Sequence, residues 1–226
     1  MNEVVLTSDD SSSIYSQKFD ALYHSKHGAI QEGLHVFINA GYKHFLNNSL
    51  RKKNKNSVVK ILETGFGSGL NALLTLIETE KTNTLVKYQT IEAYPLQSPL
   101  LSQLNYTDIL GYVEEFNLIH TVKWEDYVDI NDLFKIKKRN CLFEEFFSDE
   151  KFDVIYYDAF APNTQKELWS IDMMKKMHSL SKIGSILVTY CAKGVVRRTM
   201  EEAGFEVSRI PGPPGKREML RAVRVS

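Results

Sequence analysis

Glycine stands at every second position from Gly65 to Gly69 in ILETGFGSGLNAL, residues 61–73, between a short apolar run and a stretch of helical periodicity. An apolar run entering a glycine cluster reads as a buried strand ending in a loop, and here the loop opens a helix. Backbone amides of such a turn, together with the helix N-terminus, favour an anionic ligand group lying against the main chain. The alternation continues downstream. Strands are expected at 58–62, 86–92, 118–124, 152–158, 184–190, 205–210 and 219–225, and helices at 71–80, 107–116, 165–181 and 192–203. Repeated βα units imply a mostly parallel sheet covered on both faces. The last two strands are joined by PGPPGKRE with no helix between them, so the final strand is expected to be antiparallel. Upstream, Ile30, Leu34, Phe37, Ile38, Tyr42 and Phe45 recur at helical spacing over 28–46, followed by a polar basic turn, Leu50 to Ser57.

At 226 residues the chain suits one structural domain. Residues 1–57 are expected to form an N-terminal extension whose helix packs on a core of residues 58–226. Lys+Arg and Asp+Glu both number 28, so no whole-chain field favours nucleic acid. That balance averages two regions. Cys141 to Lys176 holds eight acidic residues against four lysines, whereas Lys193 to Ser226 holds eight basic residues against four acidic ones. The start, MNEVVLTSDDSSSIYSQ, lacks a basic region followed by an apolar stretch, and no apolar run is long enough to span a bilayer, so a cytoplasmic chain with no membrane partner is expected. Cys141 and Cys191 are far apart without a CxxC and read as reduced thiols rather than a metal site.

Spacing narrows the ligand of the glycine loop. Leu70 stands where a dinucleotide fingerprint wants glycine or alanine, and GxxxxGK[ST] is absent. What remains, Glu63 two residues before GxGxG, resembles motif I of the class I S-adenosylmethionine-dependent methyltransferases. That fold is an α/β, Rossmann-like, mostly parallel sheet with an antiparallel last strand, here carrying an N-terminal helical extension. The resemblance implies cofactor contacts from Glu63, Gly65, Gly67, Gly69 and Asn71. Glu92 follows the loop at the distance expected of a carboxylate that holds ribose hydroxyls, and Asp126, in WED, takes the place of an adenine contact. Asp158 ends the fourth strand and faces the cofactor's reactive end, with Phe160 and Pro162 following it. A methyltransferase for a small amine or another RNA nucleotide, and a non-catalytic RNA-binding module, remain open alternatives.

Four stretches together are similar to one family, the methyltransferase domain of the bifunctional tRNA-modifying enzyme MnmC and its stand-alone relatives. They are YHSKHGAIQEGLHVFI, ILETGFGSGLNAL, DAFAPNTQKELW, and TYCAKGVVRRTMEEAGF with PGPPGKREML. This resemblance implies methylation, by S-adenosylmethionine, of the primary amine of 5-aminomethyl-(2-thio)uridine at the tRNA wobble position. FAD is not expected, since there is neither a second glycine fingerprint nor room for an oxidase domain, and no metal is expected. Asp158 is the catalytic candidate, orienting the amine first and relaying its proton second. Phe160 and Tyr190 are candidates for stacking on a base of the single-stranded anticodon loop, and Lys193, Arg197, Lys216 and Arg217 for phosphate or uracil contact. His35 is a candidate for the pocket border.

Overall fold

A computed structural model describes residues 2–47 and 58–226. The basic turn expected at Leu50–Ser57 lies outside the described residues. Eight strands form one sheet in the order β10-β11-β9-β8-β4-β5-β7-β6. Strands β4 (Val59–Thr64), β5 (Val86–Ile91), β7 (Phe134–Arg139), β8 (Phe152–Tyr157) and β9 (Ser181–Thr189) run parallel. The last strand, β11 (Glu218–Arg224), inserts antiparallel between β9 and β10 (Phe205–Pro211), as the helix-free connection requires. A two-residue strand, β6 (Val128–Asp129), caps the opposite edge. Successive residues of β8 serve opposite cores: Val154 and Tyr156 one layer, Ile155 and Tyr157 the other, all fully buried. Burial on both faces is why FDVIYYD reads as a nearly unbroken apolar run.

The helical extension is preceded by structure that the periodicity does not announce. A three-stranded antiparallel sheet, β1 (Glu3–Leu6), β2 (Ser12–Ser16) and β3 (Ala21–Leu22), comes before α1 (Ala29–Gly33). Serines mask it, because Ser11, Ser12 and Ser13 are buried through hydrogen bonds rather than apolarity. The amides of Ala29 and Ile30 donate to Ser11 Oγ at 3.1 and 3.2 Å, capping α1 from the first hairpin. Helix α1 continues through a π-helical segment (Leu34–Lys43) into α2 (His44–Asn47). Its buried side chains Val36, Phe37, Ile38 and Tyr42 join the sheet's own core, so the extension packs on the sheet without a layer of its own.

One strand expectation fails. Residues 118–124 do not form the third parallel strand; they finish α6 (Val113–Thr121), whose buried face is Phe116 and Ile119. The strand lies later, at β7, where Phe134, Ile136 and Lys138 alternate inward with Lys135, Lys137 and Arg139. Three lysines and an arginine in six residues hid a period-two pattern. The helix expected over 107–116 is likewise divided at Gly111, into α5 (Tyr106–Leu110) and α6. That over 165–181 divides at Ser170, whose hydroxyl caps α7 (Ile171–Leu180) after a 3₁₀ turn, Lys166–Trp169. Helices α3 (Leu70–Thr82) and α8 (Gly194–Glu202) stand where periodicity puts them, and a single turn, α4 (Ser98–Leu101), follows β5. No helix among the described residues is long and apolar enough to cross a membrane.

Candidate active site

Strand β4 has β5 on one side and β8 on the other, so the connections leave in opposite directions and open a crevice beyond the carboxyl ends. A cavity of about 370 Å³ occupies it. Its floor is the glycine loop. Gly65 (φ 93°) approaches the backbone so closely that a Cβ there would lie 2.9 Å from the Asp158 carbonyl oxygen. A Cβ on Gly67 (φ 50°) would meet the Tyr23 ring at 2.9 Å. Gly69 is the N-cap of α3, adjoining the loop's exit. Glu92 is held at the β5 end, where the Gly67 and Tyr94 amides donate to its two carboxylate oxygens at 3.0 and 2.8 Å. A cradle shaped by side-chain-free backbone, a strand-end carboxylate and an apolar flank of Ile91, Leu142 and Phe143 fits an adenosyl group, and these residues would hold it.

The opposite end of the cavity is acidic and recessed. Asn71 Nδ2 donates to Asp158 Oδ2 at 2.9 Å, and the Asp158 amide donates to Thr64 Oγ1 at 3.1 Å. Burial, reinforced by the nearby Glu32 charge, pushes the Asp158 carboxyl up to about 7. Glu32, on α1, accepts from Lys216 Nζ at 2.7 Å, and the same ammonium lies 4.0 Å from the Tyr190 ring centroid. Tyr190 donates its hydroxyl to the Ala159 carbonyl at 2.9 Å. Phe160 packs against Phe19 and Tyr23 of the N-terminal sheet region at 4.6 and 5.1 Å, so the extension forms part of the cavity wall. A second, shallower cavity of about 440 Å³ adjoins the first; Tyr190, Lys193, Lys216 and Arg217 line it.

Most of the residues singled out in the sequence converge here. Gly65, Gly67, Asn71, Glu92, Asp158, Phe160, Tyr190 and Lys216 line the first cavity. Glu63 sits beneath the loop, fully buried and outside the cavity lining. Asp126 is a correction: with the third strand at β7, WED falls in the loop after α6, and Asp126 is exposed and paired with Lys123 at 2.8 Å, away from the cavity. Arg197 also lies outside both cavities, bonded along its helix to Glu201 at 2.6 Å. His35 contacts the Pro211 carbonyl rather than the pocket. Sequence reasoning missed Phe19, Tyr23, His24 and Glu32, which the buried serine-rich hairpin and α1 bring in, and Cys141, which follows the displaced strand. Both cysteines are free, as expected of reduced thiols. Among the described residues no group of three or more His, Cys, Asp or Glu is placed to hold a metal.

Burial of these groups gives stability a defined pH dependence. Glu63, pushed up to about 8 by burial, and Asp158 favour their neutral forms in the folded chain, so their contribution is complete below the ordinary carboxyl range and is lost as pH rises through about 8 and about 7. Burial pushes His24 and His120 down to about 4, so their contribution is present above their ordinary value of 6.5 and is lost as pH falls. The two pairs oppose each other below pH 6.5. Between there and pH 8 the two carboxyls outweigh the one opposing group, the Lys138 ammonium, which burial pushes down to about 8, and calorimetry of the ligand-free protein should show the melting temperature falling; a rise over that window would contradict these protonation states.

A family described as S-adenosyl-L-methionine-dependent methyltransferase matches residues 111–225, half of the chain. Among curated proteins, the chain is similar to the tRNA 5-methylaminomethyl-2-thiouridine biosynthesis bifunctional protein MnmC of Campylobacter hominis, at 28% identity over 75% of this chain and 26% of that protein. It is similar to the protein of the same name from a Marinomonas species at 30% identity over 73% and 26%. The chain thus spans about a quarter of the length of these relatives. Among solved structures, MNMC2 from Aquifex aeolicus superposes with a TM-score of 0.77 at 23% identity, covering 99% of this chain and 70% of that one, which shows a shared fold. Spermidine synthase from Thermotoga maritima gives 0.51 at 10% identity, covering 99% and 79%. With its class I sheet order and its glycine cradle at the switch point, the chain belongs to the S-adenosyl-L-methionine-dependent methyltransferase family.

Proposed function

We propose that this methyltransferase acts on the primary amine of 5-aminomethyl-(2-thio)uridine at the wobble position of tRNA, giving the 5-methylaminomethyl product. The observation that carries the reading is the junction of a recessed acidic pair, Asp158 and Glu32, with a basic groove across Lys216. Curated relatives are named for this nucleoside's biosynthesis. When bound, S-adenosylmethionine supplies an electrophilic methyl group. Asp158 receives the amine beside the Glu32 charge, and the Asn71 amide fixes one Asp158 oxygen, leaving the other for the amine. An alkyl ammonium of pKa near roughly 10.4 is mostly charged at neutral pH and has no lone pair for attack. A carboxyl pushed up to about 7 is a stronger base than an ordinary aspartate, so Asp158 both orients the amine and takes its proton. Phe19, Tyr23 and Phe160 exclude water from that exchange.

Lys193, Lys216 and Arg217 take the flanking phosphates, and the ring of Tyr190 or Phe160 stacks on the extruded base. Binding of tRNA should weaken with salt, with a slope near −0.7 per phosphate contact, so three contacts give a slope of about −2. Replacing Arg217 with Ala should weaken tRNA binding about equally across sequences and reduce the slope by about one contact, with binding of S-adenosylhomocysteine unchanged. A salt-independent affinity would contradict the basic groove. Nucleoside mass spectrometry of tRNA from cells lacking the protein tests the function itself: accumulated 5-aminomethyl-uridines are expected, and an unchanged wobble profile counts against it.

A further inference from the structure

Glu63 has no direct part in that account, although it is an ionisable group sealed between β4 and α3. Its side chain is fully buried, and Thr90 donates to Oε2 at 2.8 Å. Its other neighbours are the Asn71 amide and the Tyr88 hydroxyl. Three polar atoms in this spot lack partners: Glu63 Oε1, Asn71 Oδ1 and Tyr88 Oη. Asn71 uses Nδ2 on Asp158, so its Oδ1 turns away from that carboxylate. An ionised Glu63 accepts from Tyr88 and leaves Asn71 Oδ1 facing another acceptor, a costly arrangement in a buried site. Flipping the Asn71 amide is no remedy, because it sets Oδ1 against the Asp158 oxygen.

We propose that Glu63 is a positioning residue that holds a proton on Oε1, donating it to Asn71 Oδ1 while accepting from Tyr88, and so locks Asn71 with its Nδ2 on Asp158. With the Tyr88 hydroxyl donating to Oε1, that proton leaves none of the three orphaned atoms unpaired. The groups facing the chain from the packed elements are Tyr88 and Thr90 on β5, Tyr156 and Asp158 on and beyond β8, and Asn71 on α3, with Glu32 and Lys216 acting on Asp158 from the cavity. None places a cation against Glu63. The burial that pushes Glu63 up to about 8 agrees with a neutral acid at physiological pH. This assigns the acidic residue before the glycine loop to the catalytic aspartate rather than to the cofactor.

Carbon NMR of protein labelled at glutamate and aspartate carboxyls tests the assignment without any substrate. In the wild type one glutamate should titrate with a midpoint near pH 8, and that signal should vanish in Glu63→Gln. A full set of glutamates titrating in the ordinary range, near roughly 4.3, overturns the proposal. The link to Asp158 has its own readout. In Glu63→Leu the freed Asn71 loses its hold, and Asp158 should bind its proton about tenfold more tightly; Glu63→Gln, whose amide N–H replaces the proton, should restore the wild-type midpoint. An Asp158 titration identical in Leu and Gln variants overturns the positioning role. Should Glu63→Leu not fold, Asn71→Ala reads the link from the other side, because Glu63 then loses the acceptor for its proton and its midpoint should fall. The titrations stand apart from the substrate assignment, so failed methylation of tRNA leaves them interpretable.

Discussion

Replacing Asp158 with Asn should leave the affinity for S-adenosylhomocysteine within about threefold while lowering the methyl-transfer rate by roughly 10²–10³. Asp158 is held by Asn71 Nδ2 donating to its carboxylate and by its own backbone amide donating to Thr64 Oγ1; an asparagine carbonyl preserves the first, and the second does not depend on the side chain. The cradle of Gly65, Gly67 and Glu92 is built from β4 and β5 and does not depend on the charge at position 158. What disappears is a group able to accept the ammonium's proton. Glu32 remains nearby but is already committed to Lys216 and to the Ser25 amide, at 2.7 Å in each case. The loss therefore appears in kcat more than in cofactor binding. Unchanged turnover would remove Asp158 from the chemistry.

Gly65→Ala should have the opposite signature, weakening S-adenosylmethionine by roughly 10²-fold or more without unfolding the sheet. A φ of 93° costs an L-residue about 1–3 kcal/mol, and the added methyl would press on the Asp158 carbonyl oxygen from 2.9 Å. Neither side can yield. The Gly65 and Phe66 amides both donate to the Ile91 carbonyl, at 3.0 and 3.1 Å, which ties the loop to β5, and the opposing oxygen belongs to backbone. Calorimetric titration reads the affinity and circular dichroism the fold; binding at wild-type strength would show that the loop does not form the cofactor floor.

The parallel core, the antiparallel direction of the last strand and most of the cavity were legible in the sequence because they depend on local signals; the insertion of that strand between β9 and β10 was not. The glycine spacing, the carboxylate at the β5 end and DAFAP after β8 each lie next to the strand that positions them. Glu32 was invisible because its place depends on α1 being capped by Ser11, far earlier in the chain. Asp126 was misplaced for a different reason. Lysine at a fully buried position, Lys138, is rare, and it disguised β7, so the strand was assigned to the end of α6 instead. Lys138 is tolerated because its ammonium donates to the His120 carbonyl at 2.6 Å, near the C-terminus of α6, beside the Trp124 ring. Arg197 lies outside both cavities because one helical turn sets it against its own glutamate, Glu201, a pairing that composition does not reveal.

Methyl transfer in vitro tests the central claim most directly. Purified protein is mixed with labelled S-adenosylmethionine and tRNA that carries, or lacks, the 5-aminomethyl group, and the digested nucleosides are analysed by mass spectrometry. The account predicts 5-methylaminomethyl-(2-thio)uridine at the wobble position of the aminomethylated tRNA alone. Cofactor binding without transfer to that tRNA, or equal transfer to tRNA lacking the amine, would contradict it.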